Sequence, residues 1–359
     1  MSEGIYERLR DAMARRGGRY PGVDIPEFYA LARELYTSEE AEVSVGIPRG
    51  FNTAADIAAA MDRDESEVAR ILEGMADKGL CTCGDFGETR FYASPPFVPG
   101  IFEFQFMRGT WTDRDRRLAR LIHAFKGAYD AAYPPQPSSF PGARVVTVDR
   151  AVTPPDVVHT YDQVAHYIAI SDPIAVSTCF CRHEAKLLDS SDDCGMPDEV
   201  CMMFGTAAQF VISRKIGRAV RREEATDILK KAEEAGLVHA GVNRQDIDFL
   251  CNCCRCHCMI LKTALACPSP GLVLTSGFQP AWDADVCTGC GLCVDRCPTD
   301  ALSQDGADSP AINLSRCIGC GVCASGCPIE AIRLETRPGV TPPPVNLKAL
   351  KAMQANATA

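Results

Sequence analysis

The sequence predicts an α+β multidomain protein in three parts. These are an α-rich N-terminal domain at 1–133, a cysteine-rich α/β middle domain at 143–277 and a small C-terminal α+β domain at 278–336. Three observations carry this reading. Apolar residues recur with helical spacing in the first third and in short mixed runs afterwards. Twenty cysteines stand in 359 residues, and eighteen of them fall after residue 178. The segment from Cys287 onward overlays itself on a shift of thirty residues. Residues 134–142, rich in Pro and Ser, read as a linker, and 337–359, with Pro342–Pro344, as a tail.

In chain order, the first fifty residues read as helices broken at Pro21, Pro26 and Pro48. Thr53 is placed to cap a helix Ala54–Met61, and Asp64 to cap a second, Glu65–Lys78, with Val68, Ile71, Leu72 and Met75 on one face. Gly79-Leu80 ends it, and two short β-like runs follow, ending at Arg90-Phe91-Tyr92. Helix, helix, hairpin is the layout of a winged helix, which makes the first domain winged-helix-like. Cys81 and Cys83 are expected at the tip of the wing, where two thiols alone complete no site. Trp111–Tyr133 reads as a further amphipathic helix. In the middle section Arg144–Val148 is β-branched, Tyr161–Ile170 is helical, and Ile174–Thr178 is a strand leading into Cys179. Arg221–Ala235 is a helix that stops at Gly236, and Asp246–Leu250 leads into a second cysteine cluster.

Thiols at this density serve either disulfides in a secreted chain or metal and redox chemistry inside a cell. The charged start MSEGIYERLRDAMARRGG lacks the apolar core of a leader, and no 18-residue apolar run offers a transmembrane segment. The expectation is a reducing cytoplasm with the thiols as metal ligands. The net charge is −10. That suits an acidic carrier and repels nucleic acid.

The C-terminal runs are Cys287-x2-Cys290-x2-Cys293-x3-Cys297-Pro298 and Cys317-x2-Cys320-x2-Cys323-x3-Cys327-Pro328. Gly289, Gly291 and Asp300-Ala301-Leu302 recur as Gly319, Gly321 and Glu330-Ala331-Ile332. Each iron of a cubane takes one soft thiolate, and two-residue gaps let three thiolates reach three irons from one tight loop. Zinc instead favours paired Cys-x2-Cys knuckles, which this arrangement does not supply. The runs resemble the two-cluster bacterial ferredoxins over residues 278–336. The resemblance implies a ferredoxin-like domain with two [4Fe–4S] clusters, one on Cys287, Cys290, Cys293 and Cys327, the other on Cys317, Cys320, Cys323 and Cys297.

The middle domain carries Cys179, Cys181, Cys194 and Cys201, then Cys251, Cys253, Cys254, Cys256 and Cys258, with Cys267 after them. A Cys-x-Cys step in extended chain points both thiols to one side. One or two further [4Fe–4S] clusters are expected here. Structural zinc, a thiol pair cycling as a disulfide, and one cluster shared by both segments are the alternatives. His183 and His257 stand beside these cysteines as surface residues or ligands. A Cys-x-Cys-Arg segment (Cys179–Arg182) and a Cys-Asn-Cys-Cys segment (Cys251–Cys254) ahead of a ferredoxin tail resemble larger anaerobic iron–sulfur proteins. That likeness implies an electron-transfer context.

Residues 1–130 hold 17 Lys and Arg against 22 Asp and Glu, a net of −5. The second helix of the helix pair begins Asp64-Glu65-Ser66-Glu67, acidic where phosphate would lie. The charge therefore argues against DNA and for a protein-docking module. No Walker loop, dinucleotide fingerprint or nucleophile motif marks a substrate site. The reading is an electron carrier or oxidoreductase subunit serving a redox partner. A redox-sensing DNA-binding regulator, or an enzyme with a catalytic cluster in the middle domain, is the alternative.

Overall fold

Side-chain caps fix the helix starts of the N-terminal part. Thr37, Thr53 and Thr112 each accept the N–H three residues on, and Glu40, Asp56 and Asp115 reach back to complete the box. Asp64 accepts from the Glu67 N–H. Each cap is worth about 1 kcal/mol. The structure, a computed structural model, describes residues 3–134, 142–147, 164–306, 309–339 and 341–357. Most of the expected linker, Val148 of the expected strand, and the first residues of the expected helix from Tyr161 lie outside them.

The N-terminal elements are α1 (Glu3–Arg16), α2 (Pro26–Leu35), α3 (Ser38–Gly46), α4 (Ala54–Met61), α5 (Glu65–Asp77), β1 (Thr82–Phe86), β2 (Thr89–Ala93), α6 (Ile101–Phe106) and α7 (Asp113–Ala132). Val68, Ile71, Leu72 and Met75 are all buried along α5. Gly79, at φ +71, turns the chain from α5 toward the hairpin. The register pairs Thr82 with Ala93 and Phe86 with Thr89, so the hairpin turns at Gly87-Glu88. Cys81 and Cys83 therefore stand at its base, not at its tip. Only four residues separate α5 from β1, and these small side chains fall into the core. The Cys81 thiol donates to the Leu72 carbonyl at 3.4 Å, and Arg214 Nη2 donates to Cys83 Sγ at 2.9 Å.

Two compact units divide the chain. The first gathers 1–135, 180–192 and 209–218, and the second 136–179, 193–208 and 219–359. The middle and C-terminal sections thus share one unit, and the first unit is discontinuous. The remaining elements are β3 (Ala143–Val145), α8 (Val164–Ile170), β4 (Ile174–Thr178), α9 (Phe180–Leu188), β5 (Glu199–Phe204), α10 (Gly205–Ser213), β6 (Arg218–Val220), α11 (Arg222–Glu234), β7 (Val238–Val242), β8 (Phe249–Cys253), α12 (Met259–Leu265), α13 (Pro270–Val273), β9 (Phe278–Trp282), α14 (Leu292–Asp295), β10 (Leu302–Ser303), β11 (Ala311–Ile312), α15 (Val322–Ser325), β12 (Ile332–Thr336) and α16 (Leu347–Ala357).

A six-stranded sheet runs in the order β3-β7-β8-β5-β4-β6. The pairings β3–β7, β7–β8, β8–β5 and β5–β4 are antiparallel. That departs from the α/β middle domain expected above. The turn from β7 to β8 is too short for the helical crossover a parallel pair needs. Val146, Tyr167, Ile174, Phe204, Leu229 and Leu250 fill the core beside the sheet.

At the C-terminus the thirty-residue repeat becomes near-twofold symmetry. β9 pairs with β12, and β10 with β11. The Asp283 N–H donates to the Ala331 carbonyl at 2.9 Å, and its counterpart Asn313 to Ala301 at 2.8 Å. Beyond β12 the chain is not a loose tail: α16 follows, Leu350 is buried, and Pro343 and Pro344 accept hydrogen bonds from Gln245.

One buried carboxyl sets a pH dependence. Glu103 of α6 accepts the Gly100 N–H at 2.7 Å, and burial pushes its carboxyl up to about 7. Its proton is held more tightly in the folded chain than in the unfolded one. The associated stability is full below the unfolded value and is lost as pH rises through about 7. Thermal unfolding followed by circular dichroism should show wild type losing more stability than Glu103→Gln between pH 5 and pH 8, by about 3 kcal/mol. Parallel pH profiles would refute this.

Candidate metal centres

The C-terminal cysteines surround two cavities. Cys287, Cys290, Cys293 and Cys327 line the first, with Leu292, Ile329 and Trp282. Cys297, Cys317, Cys320 and Cys323 line the second, with Ile318 and Leu302. Each half of the repeat thus gives three thiols to one cavity and its fourth to the other. The wall chemistry is sulfur and hydrocarbon, a soft donor set for iron.

Backbone geometry brings the chain close around these sulfurs. Gly289, Gly291, Gly319 and Gly321 have φ between +66 and +79, a left-handed conformation that costs glycine nothing. Asp300 and Glu330, equivalent in the repeat, adopt it as well. The residue after each then points its N–H at a thiol: Ala301 N lies 3.2 Å from Cys297 Sγ, and Ala331 N 3.3 Å from Cys327 Sγ. Such donors stabilise thiolates. The two cavities differ in exposure. Cys290 is exposed, whereas Cys297, Cys317 and Cys323 are buried. Burial pushes the Cys320 thiol up to about 12, opposed by the Val322 N–H. Ligating a metal there releases a proton.

The middle cysteines regroup across the sheet. Cys251 and Cys253 sit two apart on β8 and share a face. The β5–β8 register pairs Met202 with Leu250, so Cys201 stands beside Cys251. Hydrogen bonds link Cys201 to Cys251 and Cys251 to Cys253, and Cys258 Sγ lies 2.9 Å from Cys253 Sγ. Cys179 is close enough to act on Cys251 electrostatically. The bonds from Cys201 and Cys253 pull the Cys251 thiol below the usual range. On the other face of β8, Oδ1 of buried Asn252 accepts from His239 Nδ1, and its amide nitrogen donates to the Val200 carbonyl at 2.6 Å. His239 Nε2 meets Glu233 at 3.2 Å.

Cys194 leaves its sequence neighbours for a different set. Its Sγ lies with those of Cys254 and Cys256 and a ring nitrogen of His257, all within 4.8 Å of one another. His257 Nδ1 is 3.8 Å from Cys254 Sγ. Spacing along the chain gave no reason to join Cys194 to His257. His183, the other histidine singled out, is buried and its Nε2 meets the Thr110 carbonyl at 2.8 Å. Cys181 lies on α9 in the first unit. Cys267 donates to the Thr263 carbonyl at 3.6 Å.

Arginines tie the cavities to the turn after β8 and to the end of α11. Arg255, between Cys254 and Cys256, makes a two-pronged ion pair with Asp300 at 2.9 Å on each prong. Arg296, just before Cys297, donates to the Glu233 and Glu234 carbonyls at the end of α11 at 2.8 and 3.1 Å. A cation there also meets the negative end of the helix dipole.

Gly319 is closely enclosed. A methyl group on it would lie 2.3 Å from the Phe278 carbonyl oxygen and 2.3 Å from Ser276 Oγ, at φ +68. Gly306 has the same φ with open space around it. Gly319→Ala should therefore cost about 2–4 kcal/mol and Gly306→Ala about 1–2 kcal/mol. The check is the rate at which absorbance at about 400 nm bleaches on mild heating. Equal rates for the two variants would remove the steric argument.

Residues 279–328 match the family model of the 4Fe-4S dicluster domain. No curated protein matches the chain. No helix among the described residues is long and apolar enough to cross a membrane. With eight cysteines arranged around two cavities inside the matched segment, the chain is an iron–sulfur protein with a C-terminal 4Fe–4S domain.

Proposed function

We propose that the chain passes single electrons to or from a partner oxidoreductase. Cys287, Cys290, Cys293 and Cys327 would hold one [4Fe–4S] cluster, and Cys297, Cys317, Cys320 and Cys323 a second. The observation that carries this is the exchange of the fourth cysteine between two all-thiol cavities. Cys201, Cys251, Cys253 and Cys258, with Cys179 beside them, are the soft donors for a third. Bound there, such clusters supply one-electron redox chemistry.

The chain's own residues give that chemistry a direction. Val286, Leu292 and Ile329 are each about two-fifths exposed, and the exposed Cys290 stands in the same part of the repeat. This rim is the face for a redox partner. Cys297, Cys317 and Cys323 of the second set are buried, and the Arg255–Asp300 pair ties their neighbourhood to the turn after β8. The helix–helix–hairpin of α4, α5, β1 and β2 supports a winged-helix-like domain used for protein docking. Arg63 and Arg70, the cations that flank the start of α5, are engaged by Glu39, Glu42 and Glu67. That leaves the face poorly suited to phosphate.

Iron and acid-labile sulfide on anaerobically purified protein test the reading. About twelve irons per chain are expected, eight from the C-terminal cysteines and four from the sheet. Cys320→Ala should remove about four irons and abolish electron transfer to a viologen dye, while helical circular dichroism persists. Full transfer by Cys320→Ala would sink the proposal.

A further inference from the structure

We infer that Cys194, Cys254, Cys256 and His257 bind a single zinc ion, as a Cys3His site separate from the iron–sulfur cysteines. Among the described residues this is the one set of Cys, His, Asp or Glu in which three or more ligand atoms all lie within 4.8 Å of one another. Four ligands on one tetrahedral ion at about 2.0–2.3 Å must be that close. The cysteines around the two C-terminal cavities do not close to this distance.

Donor chemistry points the same way. Three thiolates and one imidazole saturate zinc, leaving no open position, as in structural sites. Hard cations such as magnesium or calcium want oxygen, and none of the four supplies it. Chain geometry explains why the set forms. β8 ends at Cys253, so Cys254 leaves the alternation that fixes Cys251 and Cys253 and opens the turn into α12. Cys254, Cys256 and His257 then come from one four-residue turn, and Cys194 from the loop ahead of β5. An ion there would pin that loop to the turn. Cys254 is buried, Cys194 and His257 are half-buried and Cys256 is exposed, which leaves a path for loading from solvent.

The test uses the full chain, purified anaerobically, with zinc and iron measured together. About one zinc per chain is expected. Zinc-edge X-ray absorption on wild type should show three sulfurs at about 2.3 Å and one nitrogen at about 2.0 Å. Cys256→Ser and His257→Ala should each lower zinc at least fivefold and leave iron unchanged. Zinc-free wild type, a four-sulfur shell, or zinc retained in Cys256→Ser would each overturn the assignment. So would a loss of about four irons in Cys256→Ser, which would put a cluster at these residues. Iron content reports on the electron-transfer reading and zinc on this one, so the two fail separately.

Discussion

Neither half of residues 278–336 completes a four-thiol site by itself. Cys297 leaves Cys287, Cys290 and Cys293 for the second cavity, and Cys327 leaves its own three for the first. This exchange dictates the surrounding chain. β9 pairs with β12, which brings opposite ends of the segment together. The crossed bonds Asp283 to Ala331 and Asn313 to Ala301 hold the halves in step. The left-handed turns at Asp300 and Glu330 deliver an N–H back to each exchanged sulfur.

In the sheet the corresponding constraint is parity. Two-residue alternation sends Cys251 and Cys253 to one face and Asn252 to the other. Asn252 is then free to join His239, Glu233 and the Val200 carbonyl in a buried chain of hydrogen bonds. A buried polar network of this kind is costly to break, because each group left over is desolvated. It stiffens the strand that carries the thiols. One residue beyond the strand, Cys254 obeys no alternation and enters a different donor set. A single sequence cluster therefore splits in two where the strand stops.

How much of this was legible in the sequence follows from the range of the interactions involved. The caps at Thr53 and Asp64, the apolar face of α5 and the strand Ile174–Thr178 rest on contacts within a few residues, and they stand in the structure with ends shifted by a residue at most. The thirty-residue repeat was legible because its two copies are identical in spacing. What could not be read is what strand register decides. Cys201 meets Cys251 across β5 and β8, fifty residues apart, while Cys194 goes elsewhere. The Cys-Thr-Cys step at 81–83 was misplaced on the hairpin because the turn is marked by Gly87 and the strand begins earlier. His257 gained its place from the turn after β8, a feature with no periodic signature.

The discontinuity of the first unit bears on how such a protein can be divided or recombined. Its residues 180–192 and 209–218 are interleaved with strands of the six-stranded sheet along the chain. The polypeptide leaves the sheet after Thr178, returns at β5, and leaves again within α10. A gene fragment ending near residue 135 omits α9 and the end of α10. A fragment starting there carries them without their packing partners. The amino-terminal part is thus not a detachable accessory, and fusion or shuffling at that point would divide the core of the first unit.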